Sequence, residues 1–181
     1  MIRVSGSVNI NVRPEQVFAL VTDVCQCGKL NPRVEVISIV AEPQGPMRQG
    51  TVYHNRIVVE GRMTEFTSNV IGFEPNTFLE IRTNTYPAVT TQYRVKSRGE
   101  GACLEQQMTS EMTPPEPLSP ALPPWLHKIF GKSPHSANDA DQKAAFQRQE
   151  HLLQQQLQKQ LEEWLQVVKS YLENQRGKFL A

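Results

Sequence analysis

Apolar and polar residues alternate from the start of the chain. Val4, Val8, Ile10 and Val12 fall on one side, and Arg3, Ser5, Ser7, Asn9 and Asn11 on the other. This period of two predicts a half-buried strand over residues 2–12. Arg13-Pro14-Glu15 then opens a helix, because a proline in the first turn gives up an N–H that has no partner there. Val17, Leu20, Val21 and Val24 follow at i, i+3, i+4 and i+7 as one apolar stripe. Gly28 and the Asn31-Pro32 pair end that helical region.

From Val34 to Met112 the pattern becomes a series of short strand-like runs: 34–42, 51–60, 62–73, 77–84, 89–98 and 102–112. Pro43-Gln44-Gly45-Pro46, Gly61, Glu74-Pro75-Asn76, Tyr86-Pro87 and Arg98-Gly99-Glu100-Gly101 separate them, with residue types that supply the backbone angles of tight reversals. Consecutive strands with short connections predict an antiparallel meander. Several strands are mixed on both faces. Val52, His54, Arg56 and Val58 share one side of theirs, a composition that suits a pocket wall better than a dry core.

Residues 113–141 are a Pro-rich connection whose prolines exclude regular helix and central strand. Within it, Trp125, Leu126, Ile129 and Phe130 form a short apolar cluster beside Lys128 and Lys132. The span 142–174 contains neither Gly nor Pro and is dominated by helix formers. Phe146, Leu153, Leu157, Leu161, Trp164, Val168 and Tyr171 or Leu172 recur at helical spacing, with Asp139 and Asp141 at the start and Lys169 near the end, as the helix dipole favours. Fully helical, this element would run roughly 50 Å at 1.5 Å per residue. A seven-strand sheet must curl or pair with something, and this helix is the one large apolar partner on offer. The predicted class is α+β, a curved antiparallel sheet of about seven strands wrapped around a long C-terminal helix, with short helices after the first strand, as one domain over 1–181.

That order of elements resembles the START-like (SRPBCC) superfamily of polyketide cyclases, dehydrases and lipid-transport proteins, the Bet v 1-like helix-grip fold. "RPEQVFALVTDV" looks like the family's proline-led first helix ending in Asp, and Asn31-Pro32 stands where Trp-Pro is usual. "TTQYRVKSRGEGACLEQQM" is similar to its strand, glycine turn and strand near the end of the sheet. "LQVVKSYLEN" resembles the close of its last helix. The resemblance implies a cavity between sheet and helix that holds a lipid, a hormone, a quinone or a polyketide-like molecule. It carries no shared catalytic residue.

Composition narrows the function further. Hydrophobic residues make up 39% and the formal net charge is +1, so a core is affordable and no global field attracts nucleic acid or anionic membrane. The first residues lack the unbroken apolar stretch of an export signal, and no run reaches the roughly 20 apolar residues of a membrane span. Cys25, Cys27 and Cys103 form an odd set without zinc spacing, read as reduced thiols of a cytoplasmic protein. His127, His135 and His151 have no metal-ligand spacing. Neither a nucleophile elbow nor a phosphate loop or dinucleotide fingerprint is present, and no cofactor is expected.

His54 and Arg56 are the candidate functional pair. Alternation puts both on one face, with Arg62 on the next strand. If that face lines the cavity, Arg56 holds an anionic head group and His54 moves a proton; if it meets solvent, both are ordinary surface residues. Glu65, Arg82 and Glu111 are further strand charges of this kind. Phe66, Tyr93 and Trp164 are candidate cavity walls. Trp125, Leu126, Ile129 and Phe130 read either as a lid or partner contact, membrane surface included, or as a short packed helix. Gln154, Gln155, Gln156, Gln158 and Gln160 read as a solvated helix face, with helix pairing in a homodimer as the alternative to a monomer. Three functions follow from these features: a binder or carrier of a hydrophobic small molecule, a cyclase or aromatase using His54, or an interaction module built on 113–130.

Overall fold

The computed structural model describes residues 1–110 and 139–178. Seven strands and three helices are formed among them. The strands are β1 (Ile2–Ile10), β2 (Val34–Glu42), β3 (Val52–Val59), β4 (Arg62–Glu74), β5 (Phe78–Thr83), β6 (Val89–Arg98) and β7 (Gly101–Ser110). The helices are α1 (Pro14–Thr22), α2 (Val24–Leu30) and α3 (Asp139–Lys178). The sheet is antiparallel in the order β1-β7-β6-β5-β4-β3-β2, so the meander expected from the turn residues closes with β1 beside β7. Glu60 and Gly61 both take positive φ, 51° and 75°, which gives the tight β3–β4 reversal a twist that matches its strands.

The helical region after β1 is two short helices, as expected, and they part at Asp23. Asp23 accepts a hydrogen bond from the Gln26 N–H at 2.9 Å and so starts α2 in a new direction. Gly28 lies inside α2, and it allows that helix to approach β2: a Cβ there would stand 2.7 Å from Val36 Cγ2.

Two helices cover most of the inner face of the sheet. Val17, Phe18, Leu20 and Val21 of α1 join Leu79, Val95, Ala102 and Leu104 in a dry core, with the Phe18 and Phe73 rings 5.7 Å apart. Helix α3 lies along β1, burying Leu161, Leu165, Val168 and Leu172 with Ile2, Val4, Val8 and Ile10. Gly6 sets that distance, since a Cβ at this position would come within 2.9 Å of Leu165 Cδ1.

The glutamines of α3 are not simply a solvated face. Gln158 accepts from the Ser5 N–H at 3.2 Å and donates to the Ser5 carbonyl at 2.9 Å. Gln154 donates to the Arg3 carbonyl at 3.1 Å, and Glu173 accepts from the Asn11 N–H at 2.9 Å. The helix thus pairs with backbone groups along the open edge of β1, a service that edge strands otherwise get from another strand. Residues 150–173 follow residues 1–11 in parallel, because Met1 meets Glu150 at one end and Asn11 meets Glu173 at the other. Among the described residues, no helix is long and apolar enough to cross a membrane.

Candidate functional site

Where α1 stops covering the sheet, and before α3 reaches it, the inner face is left open. A cavity of about 340 Å³ occupies this gap. Its floor is the middle of the sheet. Strand β3 contributes Asn55 and Ile57, and β4 contributes Phe66 and Ser68. Strand β6 supplies Thr91 and Tyr93, and β7 supplies Gln106 and Met108. Val24, Cys27 and Gly28 of α2 form a side wall, while Leu157, Leu161 and Trp164 of α3 form the roof.

The floor is polar but uncharged. Asn55 is buried, and its Nδ2 faces three acceptors: the Tyr53 carbonyl at 3.1 Å, the Phe66 carbonyl at 3.3 Å and Ser68 Oγ at 2.9 Å. Gln106 is only 5% exposed, and its Oε1 is buried with no hydrogen-bond partner among the described residues. Tyr93 stands directly opposite Gln106 in the β6–β7 pairing.

Two lining groups can titrate, and both are held neutral. Burial pushes the Cys27 thiol from its ordinary 9.0 up to about 12, and the nearby Asp23 carboxylate adds to the effect. The thiol also donates to the Leu20 carbonyl at 3.2 Å. Burial likewise raises the Tyr93 phenol well above 10.0, with Cys27 as the smaller cause. Among the described residues, none of those lining the cavity is an aspartate, glutamate, lysine, arginine or histidine.

The structure sorts the candidate residues cleanly. Phe66, Tyr93 and Trp164 line the cavity. His54 and Arg56 do not: both lie on the outer face, where His54 Nε2 is 3.1 Å from Glu42 Oε2 and Arg56 Nε donates to Glu65 Oε1 at 2.7 Å. Arg62 is exposed at the start of β4. Of the two readings the alternation left open for this face, the structure gives the solvent-facing one; both faces of β3 mix polar with apolar residues, so the pattern alone could not choose. Asn55 and Ile57, on the alternate positions, are the inward pair. Trp125, Leu126, Ile129 and Phe130, with His127, His135 and Glu111, lie outside the described residues, as does nearly all of the 113–141 connection. His151 sits on α3, 3.0 Å from the Gln155 amide. All three cysteines are free thiols. Sequence reasoning missed Cys27, Asn55 and Gln106. The last was within reach, since Leu104, Gln106 and Met108 alternate on the face that also carries the core.

Two latches hold α3 over the cavity from the α2 side. Arg33, beside the lining residue Val34, donates to Glu163 at 2.9 Å, and Gln26 of α2 donates to the Tyr171 hydroxyl at 3.2 Å.

An open antiparallel sheet gripping one long helix, with an uncharged cavity between them, defines a helix-grip protein. The chain belongs to the polyketide cyclase / dehydrase and lipid transport family, whose model matches residues 1–136. Solved structures share the fold at low identity. The di-domain ARO/CYC StfQ from the steffimycin biosynthetic pathway is 13% identical, with a TM-score of 0.66 over 97% of this chain and 52% of that one. A Polyketide_cyc-like protein from Corynebacterium glutamicum is 22% identical, with a TM-score of 0.55 over 94% and 91%. Ara h 8.0201 is 13% identical, with a TM-score of 0.57 over 94% and 96%. No curated protein matches the chain.

Proposed function

We propose that this chain binds a small apolar molecule in the cavity between sheet and α3, in a single domain spanning 1–181. The observation that carries this reading is the cavity itself: about 340 Å³ of space walled by aliphatic, aromatic and uncharged polar side chains. Pockets of roughly 300–1,000 Å³ with a few placed polar groups are where proteins hold small molecules. Phe66, Tyr93 and Trp164 are the aromatic walls in this reading, and the charged outer-face residues His54, Arg56 and Arg62 take no part.

The neutral fluorophore N-phenyl-1-naphthylamine tests it. Titration of the full chain should show saturable binding at one site. Thr91→Phe, which fills the floor, should weaken that binding about tenfold or more while leaving a cooperative melt. Binding that is absent, or unmoved by Thr91→Phe, would place the probe elsewhere and end this reading. Native mass spectrometry of gently purified protein, followed by solvent extraction, would then identify the natural occupant.

A cyclase reading is favoured by one feature, the Tyr93 phenol in the cavity lining, where it can donate a hydrogen bond to a ligand carbonyl. Positioning of a flexible substrate does much of the work in such reactions. On that reading, a linear poly-β-ketone mimic incubated with the protein gives a cyclic product, and Tyr93→Phe lowers its rate about a hundredfold. A mimic recovered unchanged from the native chain leaves the binding role alone.

A further inference from the structure

We infer that the ligand of this cavity is uncharged and carries a hydroxyl or N–H group whose proton is accepted by the side-chain amide of Gln106. The inference rests on the reading of the cavity as a ligand site and adds the chemistry that fits it.

Neutrality comes first. A carboxylate, phosphate or ammonium entering this space would leave its hydration behind and meet no counter-charge, because the described lining holds no basic or acidic side chain. Cys27 and Tyr93 stay protonated at neutral pH, so neither supplies a hidden charge.

The demand for a donor comes second. Gln106 is 5% exposed, and its Oε1 has no hydrogen-bond partner among the described residues. Buried carbonyl oxygens left in that condition are rare in folded proteins, because the group has given up water and received nothing. The last torsion of a glutamine side chain is soft, so the amide can turn towards a ligand without disturbing β7. Asn55 repeats the theme from β3. Its Nδ2 is committed to Tyr53, Phe66 and Ser68, so the end of that amide left for a ligand is again the acceptor, Oδ1. Two amides on the floor thus offer oxygen. Alcohols, phenols and enols answer both, whereas hydrocarbons and ethers answer neither.

Three probes of one size separate these possibilities: 2-naphthol, 2-methylnaphthalene and 2-naphthoate, titrated calorimetrically against the full chain at pH 7. The native protein should bind both neutral probes and leave 2-naphthoate unbound at the same concentrations. Gln106→Met keeps the side-chain length and removes the amide. It should lower the ratio of 2-naphthol to 2-methylnaphthalene affinity about tenfold. Because it removes an unpaired polar group, it should melt at or above the native temperature. Gln106→Asn withdraws the same amide by one methylene and should lower the ratio too, which guards against a failure of the first variant to fold. A ratio unchanged in both variants, or 2-naphthoate binding as tightly as 2-naphthol, would overturn the inference and leave the cavity reading standing. Neither neutral probe binding the native protein would overturn the cavity reading and this inference together.

Discussion

Cys27 should react with iodoacetamide at pH 8 about a thousandfold more slowly than an ordinary thiol, because its pKa of about 12 leaves that much less thiolate than the usual 9.0. Three contacts act in the same direction. Burial against the cavity wall strips water from the thiolate, Asp23 repels its charge, and the Leu20 carbonyl holds the proton of the neutral form. The alkylation rate should therefore keep climbing about tenfold per pH unit above pH 9, up to about 12, where an ordinary thiol would level off. Stability shares the same linkage. The unfolded chain releases this proton from about pH 9 onward and the folded chain does not. Stability from the neutral thiol is therefore complete below pH 9 and lost as pH rises to about 12. Peptide mapping by mass spectrometry, with urea-unfolded protein as the reference, reads Cys27 site by site. Labelling of native Cys27 at the unfolded rate at pH 8 would mean that the thiol faces water, and the α2 wall of the cavity would have to be redrawn.

Leu165→Ala should cost about 2–5 kcal/mol, out of a total stability of about 5–15 kcal/mol for a domain of ordinary size. Leu165 is 1% exposed, and its Cδ1 fills the space that Gly6 leaves open on β1. Nothing nearby can move in easily, since Leu161 and Val168 already occupy the flanking turns and are buried themselves. The effect should appear in urea denaturation as a lowered midpoint at unchanged slope. Leu152→Ala is the matched control on the same helix: Leu152 is 64% exposed, and its loss should shift the midpoint little. Equal, small shifts for both would show that α3 does not grip β1 through this stripe.

Much of the fold is written locally in the sequence. Strands β2 and β6 begin and end where the alternation and its flanking turn residues put them, because a two-sided strand bounded by Pro, Gly and Asn has few other ways to fold. The core stripe of α3 was equally plain, except that Leu165 was left out of it. The site was less legible, for a reason that belongs to cavities. A dry core declares its inward face by being uniformly apolar. Here Asn55, Ser68 and Gln106 point polar groups inward, while Val40, Met63 and Ile71 stand exposed. With both faces mixed, alternation says which residues go together and is silent on which set is inside, which is why the face of His54 and Arg56 stayed open between cavity and solvent. The glutamines of α3 show a different limit. Their pairing partner is the backbone of β1, which has no side-chain signature for a pattern to find.

The parallel run of β1 and α3 fixes when, as well as where, this protein can close. Ile2, Val4, Val8 and Ile10 leave the ribosome well before the leucines and valine that cover them, which belong to residues 161–172. At about 5–20 residues per second, that interval is roughly ten to thirty seconds of synthesis. Through it β1 waits with an apolar face uncovered and, on one side, an unclaimed row of backbone groups. Strand β7 can claim the other side on emerging, and among the described residues it is α3 that finishes the task. The glutamine seam is therefore a last fastening, and a nascent chain that has not reached Gln158 presents a sticky edge for a chaperone to guard.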